Sequence, residues 1–495
     1  MNILLIYPKV SKTFWSFSHA LKIVRKKAAF PPLGALTVAA MLPKEWNKRV
    51  LDLNTTPLKD DDLKWADYVF ISAMVAQRKS TEEVIQRCKR LGIKMAGGGP
   101  LFLCYHQDFP DVDHLILGEG EALLPEFISD IISGTPKKIY RSDAHPPLDK
   151  TPVPRWDLID IHNYSTMSIQ YSRGCPYDCE FCDIIVMNGR KPRTKTNEQM
   201  IKELEALYKR GWRGAVFIVD DNFIGNKGKV KKLLVEVIKW QEEKGYPFTF
   251  FTEASVDLAD DDKLLELMVQ AGFDKVFLGL ETPEEESLQE CGKYQNLKHN
   301  LSWSVRKIQK HGLAIMGGFI IGFDHDKPDI FKKQFNFIQD NGIVTAMIGL
   351  LTAIPTTRLY KRLEKEGRIL FDPSGDNTDK EGSLNFIPKM DRDWIISEYQ
   401  KLMRKVYEPS VYYRRILRFL KLYNKPRKRG KILLEDLITF LRSLWYMGIR
   451  DCERGRRFFW KALWTAITHY PKCFVEVVTW EVYGYHFRKL FFEER

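Results

Sequence analysis

Along the first 135 residues, short β-rich apolar runs alternate with stretches whose apolar residues recur at helical spacing. Ile3–Tyr7, Val50–Leu53, Tyr68–Ser72, Lys94–Ala96 and His114–Leu117 read as strands, and Leu33–Leu42, Thr81–Leu91 and Ala122–Ile132 as the helices between them. Such alternation predicts an α/β domain over 1–145 with a doubly wound parallel sheet and a ligand at its carboxyl edge. Glycines crowd that edge, in Gly97-Gly98-Gly99-Pro100 and Gly118-Glu119-Gly120-Glu121. Tight turns alone would also call for them. Pro146, Pro147, Pro152 and Pro154 then mark a linker over 146–165.

A second alternating series fills 166–370. Its strands are Met167–Tyr171, Ala215–Val219, Phe248–Thr252, Lys275–Leu280, Ala314–Gly322 and Thr345–Leu351. Its helices are Gln199–Arg210, Val230–Glu243, Lys263–Ala271, Leu301–His311 and Ile330–Asn341. Six βα units predict a partial (β/α)6 barrel with its chemistry at the strand carboxyl ends. Beyond 371 the alternation stops, and Ser397–Val406, Tyr412–Leu422, Leu433–Tyr446 and Arg456–Thr468 predict a mainly helical domain to 495.

Composition adds a question to this picture. With 495 residues, 44% hydrophobic and 28% charged, the chain is globular and long enough for about three domains. The net charge of +13 is uneven: residues 401–495 hold 22 Lys and Arg against 9 Asp and Glu, together with 20 of the 62 aromatic residues. A basic, aromatic segment can meet nucleic acid, an anionic membrane surface or an acidic protein. No run reaches the 18 or more apolar residues that span a bilayer; the longest, Ile343–Ile354, stops at Pro355. Met1-Asn2 leads straight into a strand rather than a secretory signal, and eight cysteines make no disulfide scaffold, so a cytoplasmic location is expected.

Three of those cysteines, Cys175, Cys179 and Cys182, fall within eight positions directly after the strand Met167–Tyr171. Thiolates at spacings of four and three can cap three irons of one cubane. The fourth iron stays open to a small chelate, such as the amino and carboxylate groups of a methionine, whereas electron-transfer clusters usually take four cysteines. A structural zinc would want a closing fourth ligand nearby; Asp178 and Asp183 are poor choices and the next cysteine is Cys291.

C-x3-C-x-aromatic-C at the mouth of a partial barrel, with Phe181 as the aromatic residue, resembles the radical S-adenosylmethionine (SAM) superfamily. The resemblance implies a [4Fe–4S] cluster on Cys175, Cys179 and Cys182 that chelates SAM and cleaves it to a 5′-deoxyadenosyl radical. It also assigns the strand ends. Asp220-Asp221-Asn222 stands where the superfamily binds the methionine amino group, its usual Gly-Gly-Glu being absent. Glu253 and Ser255 stand where ribose and carboxylate contacts are expected, Glu281 in the Gly-x-Glu pattern of the fourth strand, and Gly322 and Pro355 on the fifth and sixth. Tyr171 is a candidate for gating access to the cluster.

A Rossmann-like domain ahead of such a barrel resembles the cobalamin-binding subclass. The pieces implied around the corrin are Pro32, Leu33 and Gly34, then Gly98 and Gly99, then Gly118, Glu119 and Glu121. A nicotinamide site would want G-x-G-x-x-G after the first strand, but Tyr7 is followed by Pro8-Lys9-Val10. The D-x-H-x-x-G motif whose histidine ligates cobalt is missing; Asp111, His114 and Gly118 are misspaced. Cobalamin with no histidine ligand is therefore expected, its lower face lined from Ser72, Met74, Gln77 and Arg78.

Thr13–Phe17, Phe30–Gly34, Arg190–Lys195, Phe223–Asn226 and Tyr483–Arg488 narrow the resemblance to one group of cobalamin-dependent radical SAM C-methyltransferases. That group includes the hopanoid C-2 methylases and the archaeal enzyme that C-methylates a glutamine of methyl-coenzyme M reductase. The implied activity moves methyl from methylcobalamin to an unactivated sp3 carbon, with an external electron donor. The substrate is expected to be a protein glutamine, because the tail helices carry internal charges and no clean lipid-facing stripe, with a hopanoid as the alternative. Either would dock near the C-terminal domain, with peripheral membrane contact allowed. A methylthiotransferase acting on nucleic acid would need a second three-cysteine cluster, and only Cys88 and Cys104 precede Cys175. A non-catalytic iron–sulfur or cobalamin carrier or sensor is the alternative of another class.

Overall fold

Two six-stranded, wholly parallel sheets organise the chain in the computed structural model, which describes residues 1–376, 379, 383–424 and 434–492. The first sheet takes Asn2–Tyr7, Asn47–Asp52, Tyr68–Ser72, Lys94–Gly98, His114–Leu117 and Ile139–Arg141 in the spatial order 2-1-3-4-5-6. Its first strand shows how period-two burial builds a two-faced sheet. Ile3 and Leu5 share a core with helices Leu33–Met41 and Gly120–Ser133, while Leu4 and Ile6 share one with Arg78–Arg90 and Pro100–Tyr105. The strand order reverses between strands one and three, the crevice at which open α/β sheets bind ligands.

The second sheet runs Met167–Ile169, Gly214–Ile218, Phe248–Ala254, Phe273–Glu281, Ala314–Ile321 and Thr345–Leu350, each strand parallel to the next. The α/β class and the open six-stranded barrel are thus as the pattern predicts. Met167–Ile169 is shorter than expected and leaves Tyr171 in the following loop. Ile139–Arg141 is a strand that the sequence reading left unassigned.

An open barrel exposes an edge, yet all six residues of Thr345–Leu350 are buried. The C-terminal helices cover it. Alternate carbonyls along that edge each accept a hydrogen bond from a tail side chain: Val344 from Arg415 Nη2 (3.2 Å), Ala346 from the Tyr407 hydroxyl (2.6 Å) and Ile348 from the Tyr399 hydroxyl (2.9 Å). Period two is the spacing at which a strand presents carbonyls to one side, so three side chains take the place of a seventh strand.

The tail comprises Arg392–Val406, Pro409–Leu422, Leu434–Ser443 running on into the wider π turns Leu444–Ile449, then Glu453–His469 and Phe474–Phe492. Leu433, the expected start of the third of these, lies outside the described residues. The last helix was not expected, because apolar side chains surround it and leave no polar stripe to set a period. Its core is continuous with the barrel's and takes in Phe14 and Phe17 of the N-terminal domain. Among the described residues no helix is long and apolar enough to cross a membrane.

Candidate active site

The three cysteines sit on a loop leaving the first barrel strand, between the two halves of a short hairpin, Ser172–Arg173 and Arg193–Thr194. Gly174 turns the chain there with φ of 93°, and a Cβ on it would lie 2.7 Å from the Gly189 carbonyl oxygen. Asp220 anchors the entry to the loop: fully buried, it accepts from Tyr171 N (2.7 Å), Ser172 N (2.7 Å) and Ser172 Oγ (2.6 Å). Burial pushes its carboxyl up to about 7 in spite of those donors. Asp221 accepts from Gly174 N (3.1 Å) and Asn188 Nδ2 (3.0 Å). Two carboxylates expected beside the methionine amino group are thus engaged in shaping the cluster loop. The loop's far side is held by Glu180, whose N–H donates to the Cys291 carbonyl (2.8 Å) and whose carboxylate pairs with Arg362 (2.8 Å).

Cys175, Cys179 and Cys182 carry free thiols, and burial raises all three above the usual thiol range. Asn222 Nδ2 lies 3.8 Å from Cys175 Sγ and Gln295 Nε2 3.9 Å from Cys179 Sγ. Beside them is Lys293, which sequence reasoning missed. It is almost wholly enclosed and paired with Glu281. Burial works against its charge, but Glu281 and then the neighbouring thiols more than offset this, so its ammonium is held above the ordinary lysine range. A Cβ at Gly279 would come within 2.5 Å of Glu281 Oε1 and 2.8 Å of Lys293 Nζ, so the pair as it stands lies directly over this glycine. Glu281 itself adopts φ of 61°, a conformation costly for a residue with a side chain. Among the described residues no three His, Cys, Asp or Glu side chains converge on a single-ion position. A cubane instead gives each thiolate its own iron, and three uncrosslinked thiols beside a buried ammonium suit that anionic group.

Glu253 enters the same interior from the third strand. Burial, then the Asp221 charge, pushes its carboxyl up to about 8, with Lys293 opposing. Ser255 exchanges hydrogen bonds with Asn222, and its hydroxyl donates to the Asp257 carboxylate. A layer of aromatic rings crosses the barrel on adjoining strands: Phe217 stacks on Phe251 (4.6 Å), Trp15 reaches Phe277 (5.3 Å) and Phe30 reaches Phe217 (5.4 Å). Trp15 and Phe30 come from the N-terminal domain. The signal for this layer was present in the paired register of Phe217 and Phe251, but only once the strands are aligned. Phe181 packs 6.2 Å from Phe323 and 6.0 Å from Lys293 Nζ. Gly322 closes the fifth strand with its N–H on Asp326, and Pro355 lies in the loop after the sixth. Tyr171 is not placed as a gate: it is 1% exposed and its ring packs 6.1 Å from Phe223 in the barrel core.

The carboxyl edge of the N-terminal sheet is tied to this mouth. Glu119 pairs with Arg173 (2.8 Å) and Arg193 (2.5 Å), and Glu121 pairs with Arg173 (2.8 Å) and accepts from Thr151 (2.9 Å). Both carboxylates, expected near the corrin with Gly118, are therefore engaged in joining the domains. Pro32 precedes the helix that begins at Leu33, Gly34 lies against Ser72, Gly98 and Gly99 lead into Pro100–Tyr105, and Met74 is exposed at the sheet's edge. Gln77 does not line a lower face: buried, it donates to the Pro8 carbonyl and accepts from Met74 N (2.8 Å). Arg78 is paired with Asp108 (2.9 Å) over the Tyr105 ring. Both ring nitrogens of His114 face partners inside the domain, the Lys137 carbonyl (2.7 Å) and the Tyr68 hydroxyl (3.4 Å).

The model of the radical SAM superfamily matches residues 169–338, and one described as a domain of unknown function (DUF4070) matches 357–495. An uncharacterized methyltransferase of Synechocystis sp. is 43% identical over 98% of this chain and 91% of its own length. The hopanoid C-2 methylase of Rhodopseudomonas palustris is 34% identical over 93% of this chain and 88% of its own length. Two solved structures share the fold: the cobalamin-dependent SAM radical enzyme OxsB with aqua-cobalamin and SAM (TM-score 0.63, 14% identity, 99% of this chain and 79% of that one), and the radical SAM methyltransferase TsrM of Kitasatospora setae with cobalamin and a [4Fe-4S] cluster (TM-score 0.61, 16% identity, 92% and 98%). With the cysteine loop, the parallel sheets and relatives at 43% and 34% identity over nearly the whole chain, the protein carries a radical SAM domain and belongs to the methyltransferase family that includes hopanoid C-2 methylase.

Proposed function

We propose that this enzyme C-methylates an sp3 carbon of an apolar polycyclic lipid of the hopanoid class. The observation that carries this reading is the 34% identity to hopanoid C-2 methylase over 93% of the chain. The aromatic layer of Trp15, Phe30, Phe217, Phe251 and Phe277 supports it, since stacked rings suit a saturated polycycle better than an amide side chain. The expectation of a protein glutamine rested in part on a tail with internal charges and no clean lipid-facing stripe, and two exposed apolar stripes weigh against the second of those grounds. Leu441, Trp445 and Ile449 form one exposed stripe, and Trp460, Trp464 and Ile467 form another.

In this reading Cys175, Cys179 and Cys182 would hold three irons of a [4Fe–4S] cluster, Asn222, Glu253 and Ser255 would contact SAM, and Ser72, Met74, Gly98 and Gly99 would cradle cobalamin. When bound, these groups supply a hydrogen-abstracting radical and a transferable methyl group, with electrons from an external donor. The chain's own residues do the rest. Asp220 and Asp221 fix the loop, Lys293 balances negative charge at the thiolates, and the aromatic layer keeps water from a reactive carbon.

Anaerobic turnover of the reconstituted enzyme with cobalamin and a dispersed hopanoid tests the reading. S-adenosylhomocysteine and 5′-deoxyadenosine are expected in equal amounts, both dependent on the lipid. Lipid-independent product formation that a glutamine-containing peptide stimulates instead would overturn it.

A further inference from the structure

The C-terminal helices leave an unusual surface. Among the described residues, nine of the 21 exposed large apolar side chains fall between Leu434 and Val475. Leu441, Trp445 and Ile449 stand four residues apart along Leu434–Ile449 and are 56%, 51% and 54% exposed. Trp460, Trp464 and Ile467 follow one face of Glu453–His469 at 48%, 67% and 59%. The two stripes meet where the Trp460 indole donates to the Gly448 carbonyl (3.1 Å). Scattered apolar side chains are ordinary on a protein surface; two adjoining stripes are an interaction site.

The charges along the same helices say what it meets. Arg450, Arg454, Arg457 and Lys461 are exposed beside the apolar side chains. Arg454 pairs with Glu408 (2.7 Å), and Lys461 lies over the Tyr413 ring (5.1 Å). Of the acids along these helices, Glu435 pairs with Lys26 (3.2 Å), Asp451 is buried against Arg488 (3.1 Å), and Asp436 and Glu453 are exposed. A second copy of this chain docking through this face would bring two sets of these exposed arginines and lysine into one interface with few exposed acids to meet them, at a cost. An anionic, apolar partner meets both features: tryptophan and isoleucine enter the headgroup boundary while arginine and lysine reach back to phosphates. We infer that this face seats the enzyme on an anionic lipid bilayer. The inference rests on the lipid-substrate reading and adds how the catalytic core reaches a membrane-resident substrate.

Co-sedimentation of the full-length protein with phosphatidylcholine vesicles, with and without phosphatidylglycerol, tests it. Binding is expected to the anionic vesicles, to weaken with salt, and to shift tryptophan fluorescence to the blue. Trp464→Ser with Ile467→Ser is expected to lower the partition coefficient about tenfold, as is Arg450→Glu with Arg457→Glu. Helical content and SAM cleavage with a detergent-dispersed hopanoid should be unchanged in both variants. No affinity for anionic vesicles, affinity untouched by either pair, or a solution dimer that both pairs dissociate would overturn the inference. Vesicle binding without methylation of any hopanoid would instead break the substrate reading while leaving the docking face standing.

Discussion

The barrel mouth and the C-terminal helices solve opposite problems. At the mouth, polar groups are buried: Asp220 with three donors, Glu281 with Lys293, and three thiols that burial raises above their usual range. In the tail, apolar groups are exposed while Arg415 and Tyr407 are wholly enclosed. Each inversion has a purpose. A site that must bind an anionic cluster keeps its donors ready and dry, and a surface that must meet lipid keeps its tryptophans outside. Between the two runs the covered edge of the sixth strand, where the tail becomes part of the barrel. Chemistry and stability should therefore separate cleanly by region.

The sharpest break is Cys179→Ala, which should abolish SAM cleavage, at least 10³-fold in 5′-deoxyadenosine formed, while the melting temperature moves little. Comparable loss of fold would mean that the thiol is structural. Next, Asp220→Ala leaves two backbone N–H groups and one hydroxyl without their acceptor, at a cost on the order of 3 kcal/mol. It should lower both the melting temperature and the iron bound after reconstitution. Full iron loading would show that the loop keeps its shape without this carboxylate. Tyr407→Phe strips one donor from the barrel edge and should cost about 1–2 kcal/mol in denaturant unfolding, with SAM cleavage per folded molecule unchanged. A change in cleavage rate would join the regions that the comparison separates.

The smallest effect is a pH slope within the tail. Burial pushes the Glu481 carboxyl up to about 7, with Asp451 adding and Arg488 opposing. A carboxyl raised in the fold favours folding while protonated, so this contribution is full below the unfolded value near 4.5 and is lost as pH rises through about 7. Glu481→Gln should flatten a slope of about 1 kcal/mol per pH unit across that window, giving a higher melting temperature than the parent at pH 8. An unchanged slope would assign it to other groups.

What was legible in the sequence was local. The period of βα alternation and the spacing of Cys175, Cys179 and Cys182 are set by neighbours along the chain, and both led to the right architecture. What was not legible depends on distant partners. Glu119 and Glu121 look like ligand-edge acids until Arg173 and Arg193 come to meet them. Asp220 looks like a SAM contact until the Tyr171 and Ser172 amides turn onto it. Lys293 is one lysine among many until the fold brings it to Glu281. The last helix and the exposed stripes were missed for a related reason. A period reveals that a helix has two faces, but not which face the rest of the molecule covers.

The central claim, a methyl group delivered to a hopanoid-class lipid, is tested most directly by one measurement. The reconstituted enzyme is supplied anaerobically with cobalamin, a reductant and SAM labelled in its methyl group, with a hopanoid and a glutamine-containing peptide offered in the same vessel. The account predicts label in the lipid, bonded to carbon, and none in the peptide. Label in the peptide alone would contradict it.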